Sequence, residues 1–234
     1  MKREVCPNSR RFGPHLTYPF TCIEIISVQS YGNGILFVAR PKSYLVSEVV
    51  ERVTHAFWQH GYQALGVREL EELTGLNQYA IRTEFGGKEG LYLAALEFYS
   101  QQAIATAMSP MKSGGIPEVI SFLQDLVTTG SMTSSNFGCL IVNTGIENAR
   151  VGSPRLEAAV KRYWEALEAH FATCLSNANK DGLLVPGTDV ESVAKGLVSG
   201  VMGVHASNRV GKRNDAGAQL VDLLCTQLRS FKLQ

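Results

Sequence analysis

From Tyr44 to Phe231 the apolar residues return at steps of three and four, segment after segment, and that period restricts the chain to packed helices. Leu45, Val49, Val53, Ala56 and Phe57 form the first stripe, with Glu48, Glu51 and Arg52 between them and Gly61 stopping it. Residues 67–73 and 78–85 give two brief helices around Gly75. Residues 88–108 give a long helix that is apolar on adjoining faces, so it is expected to be central and largely buried. Residues 109–117 read as a linker, and Val119, Ile120, Leu123, Leu126 and Val127 mark a fifth helix. After a polar loop at 131–136, residues 139–149 form a sixth. Leu156, Val160, Tyr163, Leu167, Phe171 and Cys174 carry a stripe over a seventh, with Glu157 and Lys161 expected to pair on its wet side. Two final helices cover 189–208 and 215–231. With no βαβ alternation, the expected fold is all-α with about nine helices.

The first 42 residues differ from the rest, because Pro7, Pro14, Pro19 and Pro41 interrupt any helical period. Gly32-Asn33-Gly34 offers a turn between two short runs, but an isolated hairpin is marginal in water. A loosely ordered arm is the main expectation, and a translation start downstream of it is the alternative. Charge follows the same division. Residues 1–42 hold six basic and two acidic side chains, net +4; residues 43–90 hold four and seven, net −3; the remainder is balanced, and the whole chain sums to +1. Any basic surface is therefore local.

With 45% hydrophobic and 18% charged residues, the composition is that of a globular protein and excludes wholesale disorder. No stretch approaches the roughly 18 apolar residues that a membrane span needs, and the start lacks the pattern of a signal peptide, so a cytoplasmic protein is expected. Cysteines at 6, 22, 139, 174 and 225 include no C-x-x-C and no histidine at ligand spacing. They suggest neither a disulfide framework nor a metal site, and no cofactor is indicated.

Residues 67–85 have the layout of a helix-turn-helix. Val67 and Leu70 face inward, Gly75 permits the sharp turn, and Leu76 and Ile81 close a small core. Gln78, Tyr79, Arg82 and Thr83 are then left on the outer side of the second short helix, where side chains can meet a DNA major groove. The same spacing also occurs in structural helical hairpins.

The wider run from Ala56 to Leu96 resembles the DNA-binding domain of TetR-family transcriptional regulators in Phe57, Gly61-Tyr62, Val67-Arg68, Leu70, Gly75-Leu76, Ile81, Phe85, Lys88-Glu89 and Leu91. Phe137 to Ala149, FGCLIVNTGIENA, is similar to a segment of one subset of the family's ligand domains. The resemblance spans roughly Tyr44 to Phe231 and implies a DNA-binding domain at 43–90 and a ligand-binding and dimerisation domain at 91–234, with the basic arm of residues 1–42 lying beyond it. It also implies a homodimer on double-stranded operator DNA, acting as a repressor released by a small-molecule effector, with the fourth helix as the coupling element. Lys88 and Arg68 are the implied phosphate contacts. The chain departs from the family pattern at Ala80 and Arg82, where threonine and tyrosine are common, and at Tyr79, Glu84 and Glu71. Glu71 is expected to turn outward or crowd the turn. The acidic balance of 43–90 predicts weak non-specific binding.

An effector pocket is expected among helices four to eight, with Phe98, Tyr99, Phe122, Cys139, Asn143, Tyr163, Trp164, Met202 and His205 as candidate walls. Cys139 is also a candidate sensor of electrophiles. Gly196, Gly200 and Gly203 leave room for a close helix, either a partner's in a dimer through the last two helices or one of the chain's own. Two other readings stay open. One is a member of the same fold with weakened DNA contacts that binds ligands or proteins. The other is an enzyme using Cys139 with His170 or His205, although no nucleotide, zinc-protease or hydrolase motif is present.

Overall fold

The computed structural model describes residues 44–232 except Met132. The expected arm and hairpin of residues 1–42 and two cysteines, Cys6 and Cys22, lie outside the described residues. Nine α-helices occur among the described residues: α1 Val46–His60, α2 Val67–Thr74, α3 Gln78–Phe85, α4 Lys88–Ala105, α5 Ile116–Asp125, α6 Leu140–Val151, α7 Pro154–Lys180, α8 Val190–Gly211 and α9 Ala218–Ser230. The all-α expectation holds. No described helix is long and apolar enough to cross a membrane.

The first four helices are organised around α4. Val49, Val53, Ala56 and Phe57 of α1 are buried, as their spacing requires, and Phe57 meets Tyr92 of α4 edge-on at 4.6 Å between ring centroids. Tyr92 is fully buried, and its hydroxyl lies 2.7 Å from Thr144 Oγ1 in α6. Because the Thr144 hydroxyl already donates to Leu140 O at 2.7 Å, Tyr92 is the donor in that pair. Burying such an aromatic contributes about 1.5–3 kcal/mol, provided its polar tip is satisfied. One residue thus ties α1, α4 and α6 together. α4 runs without interruption through residues 90 and 91, where the domain boundary was expected.

Burial of α4 is uneven. Gly90, Leu91, Tyr92, Ala95 and Leu96 are enclosed, but from Glu97 onward the helix is half-buried or exposed, so only its first half fits the expected central helix. It also ends at Ala105 rather than 108. The expected linker is structured: Ser109–Lys112 is a 3₁₀ turn with Met111 fully buried, and α5 begins at Ile116 with Pro117 in its first turn, where proline's missing N–H costs nothing.

α7 extends past the expected stripe at both ends, spanning 27 residues or about 40 Å. Ser153 Oγ caps it by accepting from Leu156 N, and Leu156, Tyr163, Leu167, Phe171 and Cys174 are buried along it. On its wet side Lys161 pairs forward with Glu165 at 3.7 Å instead of back with Glu157. α8 packs against α7 and α9. Asn208, fully buried on α8, donates to Leu126 O at 3.1 Å and accepts from Gly217 N at 2.9 Å, which fixes where α9 begins.

The three glycines of α8 divide in role. A Cβ at Gly200 would lie 2.6 Å from Leu224, and one at Gly203 2.9 Å from Leu220, so both admit the chain's own α9. Gly196 faces nothing within 4 Å.

Candidate nucleic-acid interface and internal cavity

α2 and α3 meet through Gly75, which takes the left-handed conformation at φ 70° that the tight turn demands. Leu70, Leu76 and Ile81 close the small core beneath. Gln78, Tyr79, Arg82 and Thr83 therefore stand exposed on one face of α3, and Tyr79 keeps 78% of its surface in solvent. A single helix of this kind fits a B-DNA major groove about 12 Å wide. Thr83 Oγ1 donates to Tyr79 O at 2.9 Å, which leaves the threonine oxygen free only to accept. Arg68 is exposed near the start of α2.

The start of α3 is closed by two acceptors. Asn77 Oδ1 accepts from Ala80 N at 2.9 Å, and Glu71 Oε1 accepts from Gln78 N at 2.5 Å. Glu71 neither turns outward nor crowds the turn; it reaches across from α2 and places negative charge at a helix N-terminus, a favourable position. Lys88 opens α4 half-buried, with Nζ 4.6 Å from the centroid of the Tyr62 ring. Burial lowers its pKa, while the Glu147 and Glu69 carboxylates act in the opposite direction.

Behind this face lies a cavity of about 80 Å³, lined by Trp58, Tyr99, Gln102, Ala103, Thr106, Phe122, Leu126, Thr133, Tyr163 and His205. Of the expected wall residues, Tyr99, Phe122, Tyr163 and His205 line it. Cys139 sits fully buried beside it, its thiol paired with the Tyr99 phenol, and burial pushes the thiol pKa up. The remaining four do not line it. Asn143 donates to Phe137 O at 3.0 Å and holds the loop before α6. Trp164 packs edge-on against Tyr163 at 5.0 Å, and Phe98 and Met202 are half-buried elsewhere. Two candidates of the enzyme reading also have other partners: His170 Nδ1 is 2.7 Å from Ala166 O on its own helix, and Cys139 pairs with Tyr99.

Sequence reading missed Trp58, Gln102, Ala103, Thr106, Leu126 and Thr133. Tyr99, Gln102, Ala103 and Thr106 follow the spacing of one helical face, so periodicity anchored on Tyr99 would have found them. Trp58 could not be found that way, because its helix is already explained by its own buried stripe.

His205 is 4% exposed, its Nδ1 has no hydrogen-bond partner among the described residues, and burial lowers its pKa to about 4, so the ring is neutral. The loop at 137–139 packs on the same part of α8: Gly138 has φ 71°, and a Cβ there would stand 2.7 Å from His205 O.

The cavity shares its walls with α1. Trp58 meets Tyr99 edge-on at 5.3 Å and donates from Nε1 to Gly138 O at 2.9 Å. Arg209 of α8 donates to Phe137 O at 3.0 Å and to Trp58 O at 3.3 Å. Farther along α6, Glu147 Oε2 accepts from Tyr62 N at 2.7 Å and Gln63 N at 3.3 Å, in the turn that leads to α2. The loop before α6 and the C-terminal part of α6 are thus bonded to α1 and to the turn after it.

Comparison with known proteins agrees with this layout. Residues 54–95 match the family model for bacterial regulatory proteins of the tetR family, and residues 115–224 match that for the tetracyclin repressor-like C-terminal domain. The HTH-type transcriptional repressor ComR of Escherichia coli is 24% identical over 178 residues, covering 74% of this chain and 83% of that one. A TetR-family regulator from Cytophaga hutchinsonii superposes with a TM-score of 0.70 at 16% identity, covering 80% of this chain and 94% of that one. A cysteine mutant of the TetR-family regulator CifR, solved with 26-bp operator DNA, superposes with a TM-score of 0.66 at 22% identity over 82% and 99% of the two chains. The helix-turn-helix and the helical domain that follows both carry the family's signature, so this chain belongs to the TetR family of DNA-binding transcriptional regulators.

Proposed function

We propose that the protein is a ligand-responsive repressor whose effector enters the cavity behind α1. In this reading residues 43–90 read DNA and residues 91–234 bind the effector and form the dimer. Gln78, Tyr79 and Thr83 meet the major groove, while Arg68, Arg82 and Lys88 serve the phosphates. The observation that carries the reading is Trp58, which belongs to α1 and is also a wall of the cavity. A ligand there bears directly on the helix that supports α2 and α3. It shifts the population by preferring the conformation in which the two recognition helices of a dimer no longer match successive grooves.

The dimer forms through α8 and α9. Gly196 leaves an open surface on α8, and Val210 and Leu223 expose 84% and 64% of their areas on α8 and α9. Exposed aliphatic side chains of that size on adjacent helices suit a helix-on-helix contact. A monomer by light scattering at micromolar concentration would count against it. The reading as a whole is tested by selecting genomic DNA with the purified protein, then screening neutral and charged small molecules for release of the selected operator. Failure to enrich any sequence would overturn the DNA-reading role; an operator that no small molecule releases would overturn the effector role.

A further inference from the structure

One carboxylate oxygen of Glu71 is committed and the other is not. Oε1 accepts from Gln78 N at 2.5 Å, which holds an α2 side chain at the first residue of α3, beside the exposed Gln78 and Tyr79. Among the described residues Oε2 carries no hydrogen bond, and no Lys or Arg forms an ion pair with Glu71. The recognition helix of a helix-turn-helix enters the major groove with its N-terminal residues at the base edges. A carboxylate fixed to that end of α3 enters the groove too. At the centre of a groove about 12 Å wide it stands about 6 Å from each phosphate strand, inside the screening length of about 8 Å at physiological salt. Phosphate repulsion therefore reaches it, and the carboxylate weakens binding to any sequence whose groove offers it no donor.

The base edges decide which donor that is. An ionised carboxylate only accepts. Guanine presents N7 and O6 and thymine presents O4, all of them acceptors that repel it. Adenine donates from N6, but its N7 acceptor stands beside that amine. Cytosine donates from N4 with no acceptor of its own beside it in the major groove. We propose that Glu71 is a specificity-determining residue, whose Oε2 accepts from the N4 amine of one cytosine in the operator half-site while the bond to Gln78 N fixes the direction of the carboxylate. The inference rests on the reading of α3 as the recognition helix. Charge makes the contact selective in both directions: at cytosine a charge-assisted hydrogen bond offsets the phosphate repulsion, and at guanine or thymine the repulsion stands unopposed.

The test selects duplexes from a random library with the full chain and with its Glu71→Gln, Glu71→Ala and Tyr79→Ala variants. The parent should fix a cytosine at one position of the half-site, and replacing that C·G pair by T·A should weaken binding of the selected operator about tenfold. Glu71→Gln keeps an acceptor for Gln78 N and gains an amide donor, so its selection at that position should move to adenine, whose N6 and N7 match the amide. Glu71→Ala should accept any base there and leave the other positions as in the parent. A side chain that only caps α3 behaves otherwise: Glu71→Ala binds every sequence more weakly, Glu71→Gln selects the parent's sequence, and the proposal is overturned. Where loss of the cap unfolds Glu71→Ala, Glu71→Gln decides alone. Tyr79→Ala separates the two ways of failing. If it alters the selected sequence while the Glu71 variants return the parent's, the Glu71 contact alone is overturned. If no variant alters it, or the parent enriches nothing, the recognition-helix reading is overturned as well.

Discussion

The indole N–H of Trp58 and the carbonyl of Gly138 stand 2.9 Å apart, and this bond joins α1 to the loop that opens α6 at the edge of the cavity. Trp58→Phe keeps a ring against Tyr99 but removes the donor, leaving the Gly138 carbonyl without that partner. The expected cost is about 1 kcal/mol of folding stability. Urea denaturation measures it, and the variant should also give a weaker operator response to any effector found for the parent. Unchanged stability and response would remove Trp58 from the coupling.

Glu147 holds the turn after α1 through Tyr62 N and Gln63 N. Hydrogen bonds to a charged acceptor are worth more than neutral ones, so Glu147→Ala should cost roughly 1.5–3 kcal/mol. Glu147→Gln, which retains an oxygen, should cost less. Operator affinity should fall in the same order, because the turn sets the start of α2; equal affinities for all three proteins would show that the turn does not depend on this contact.

Arg82 and Tyr79 are exposed on α3, so their loss should leave the fold intact. Arg82→Ala is expected to weaken operator binding and to reduce its salt dependence by about one phosphate contact. Tyr79→Ala should broaden the range of sequences bound. Both are read by titrating operator DNA at several salt concentrations, and unaltered binding by both variants would place the reading face elsewhere.

His205 contributes a pH dependence whose sign follows from its depressed pKa. The unfolded chain binds a proton near pH 6.5 while the folded one resists until about 4, so stability is complete above 6.5 and is lost as the pH falls toward 4. The loss is on the order of 3 kcal/mol by the end of that window. The phenols on the same walls, Tyr99 and Tyr163, are shifted well above their ordinary range by burial and do not titrate there. Denaturation midpoints from pH 7 to 4 should fall less steeply for His205→Leu than for the parent, and identical slopes would refute the assignment.

Cys139, Cys174 and Cys225 are all buried and burial raises each thiol's pKa, that of Cys174 to about 11. Thiols held in that form are poor nucleophiles. In a Cys6→Ser, Cys22→Ser background, alkylation of native protein at pH 7.5 should proceed only as fast as the protein opens. Rapid modification of Cys139 would support the electrophile-sensing role and contradict its burial.

Much of the helix-turn-helix was legible because its determinants are local. Gly75 and the apolar positions at 70, 76 and 81 constrain one another within a dozen residues, and the face holding Gln78, Tyr79, Arg82 and Thr83 follows from helical spacing alone. The part played by Glu71 was not legible: its carboxylate has several neighbours within reach, and only the crossing of α2 and α3 selects Gln78 N. Lys161 likewise had two partners at helical spacing, and the structure chose Glu165.

The cavity shows the same division at longer range. Aromatic residues at helical spacing on α4, α5 and α7 identified Tyr99, Phe122 and Tyr163 as walls, but Phe98 and Trp164 have the same chemistry and, like Asn143 and Met202, lie off the cavity. Trp58 enters it from a helix some forty residues earlier, and the orphaned nitrogen of His205 is recognisable only when every neighbour is in place. Periodicity along the chain therefore determined the helices and most of their inward faces, since each depends on residues one or two turns apart, while the family came from the resemblance of the motifs between Ala56 and Leu96. Which walls enclose the cavity, which carbonyl receives the Trp58 indole and which histidine is left unpaired depended on how helices distant in sequence pack. A hydrogen bond or a cavity is a property of positions in space, and spacing along one helix does not contain it.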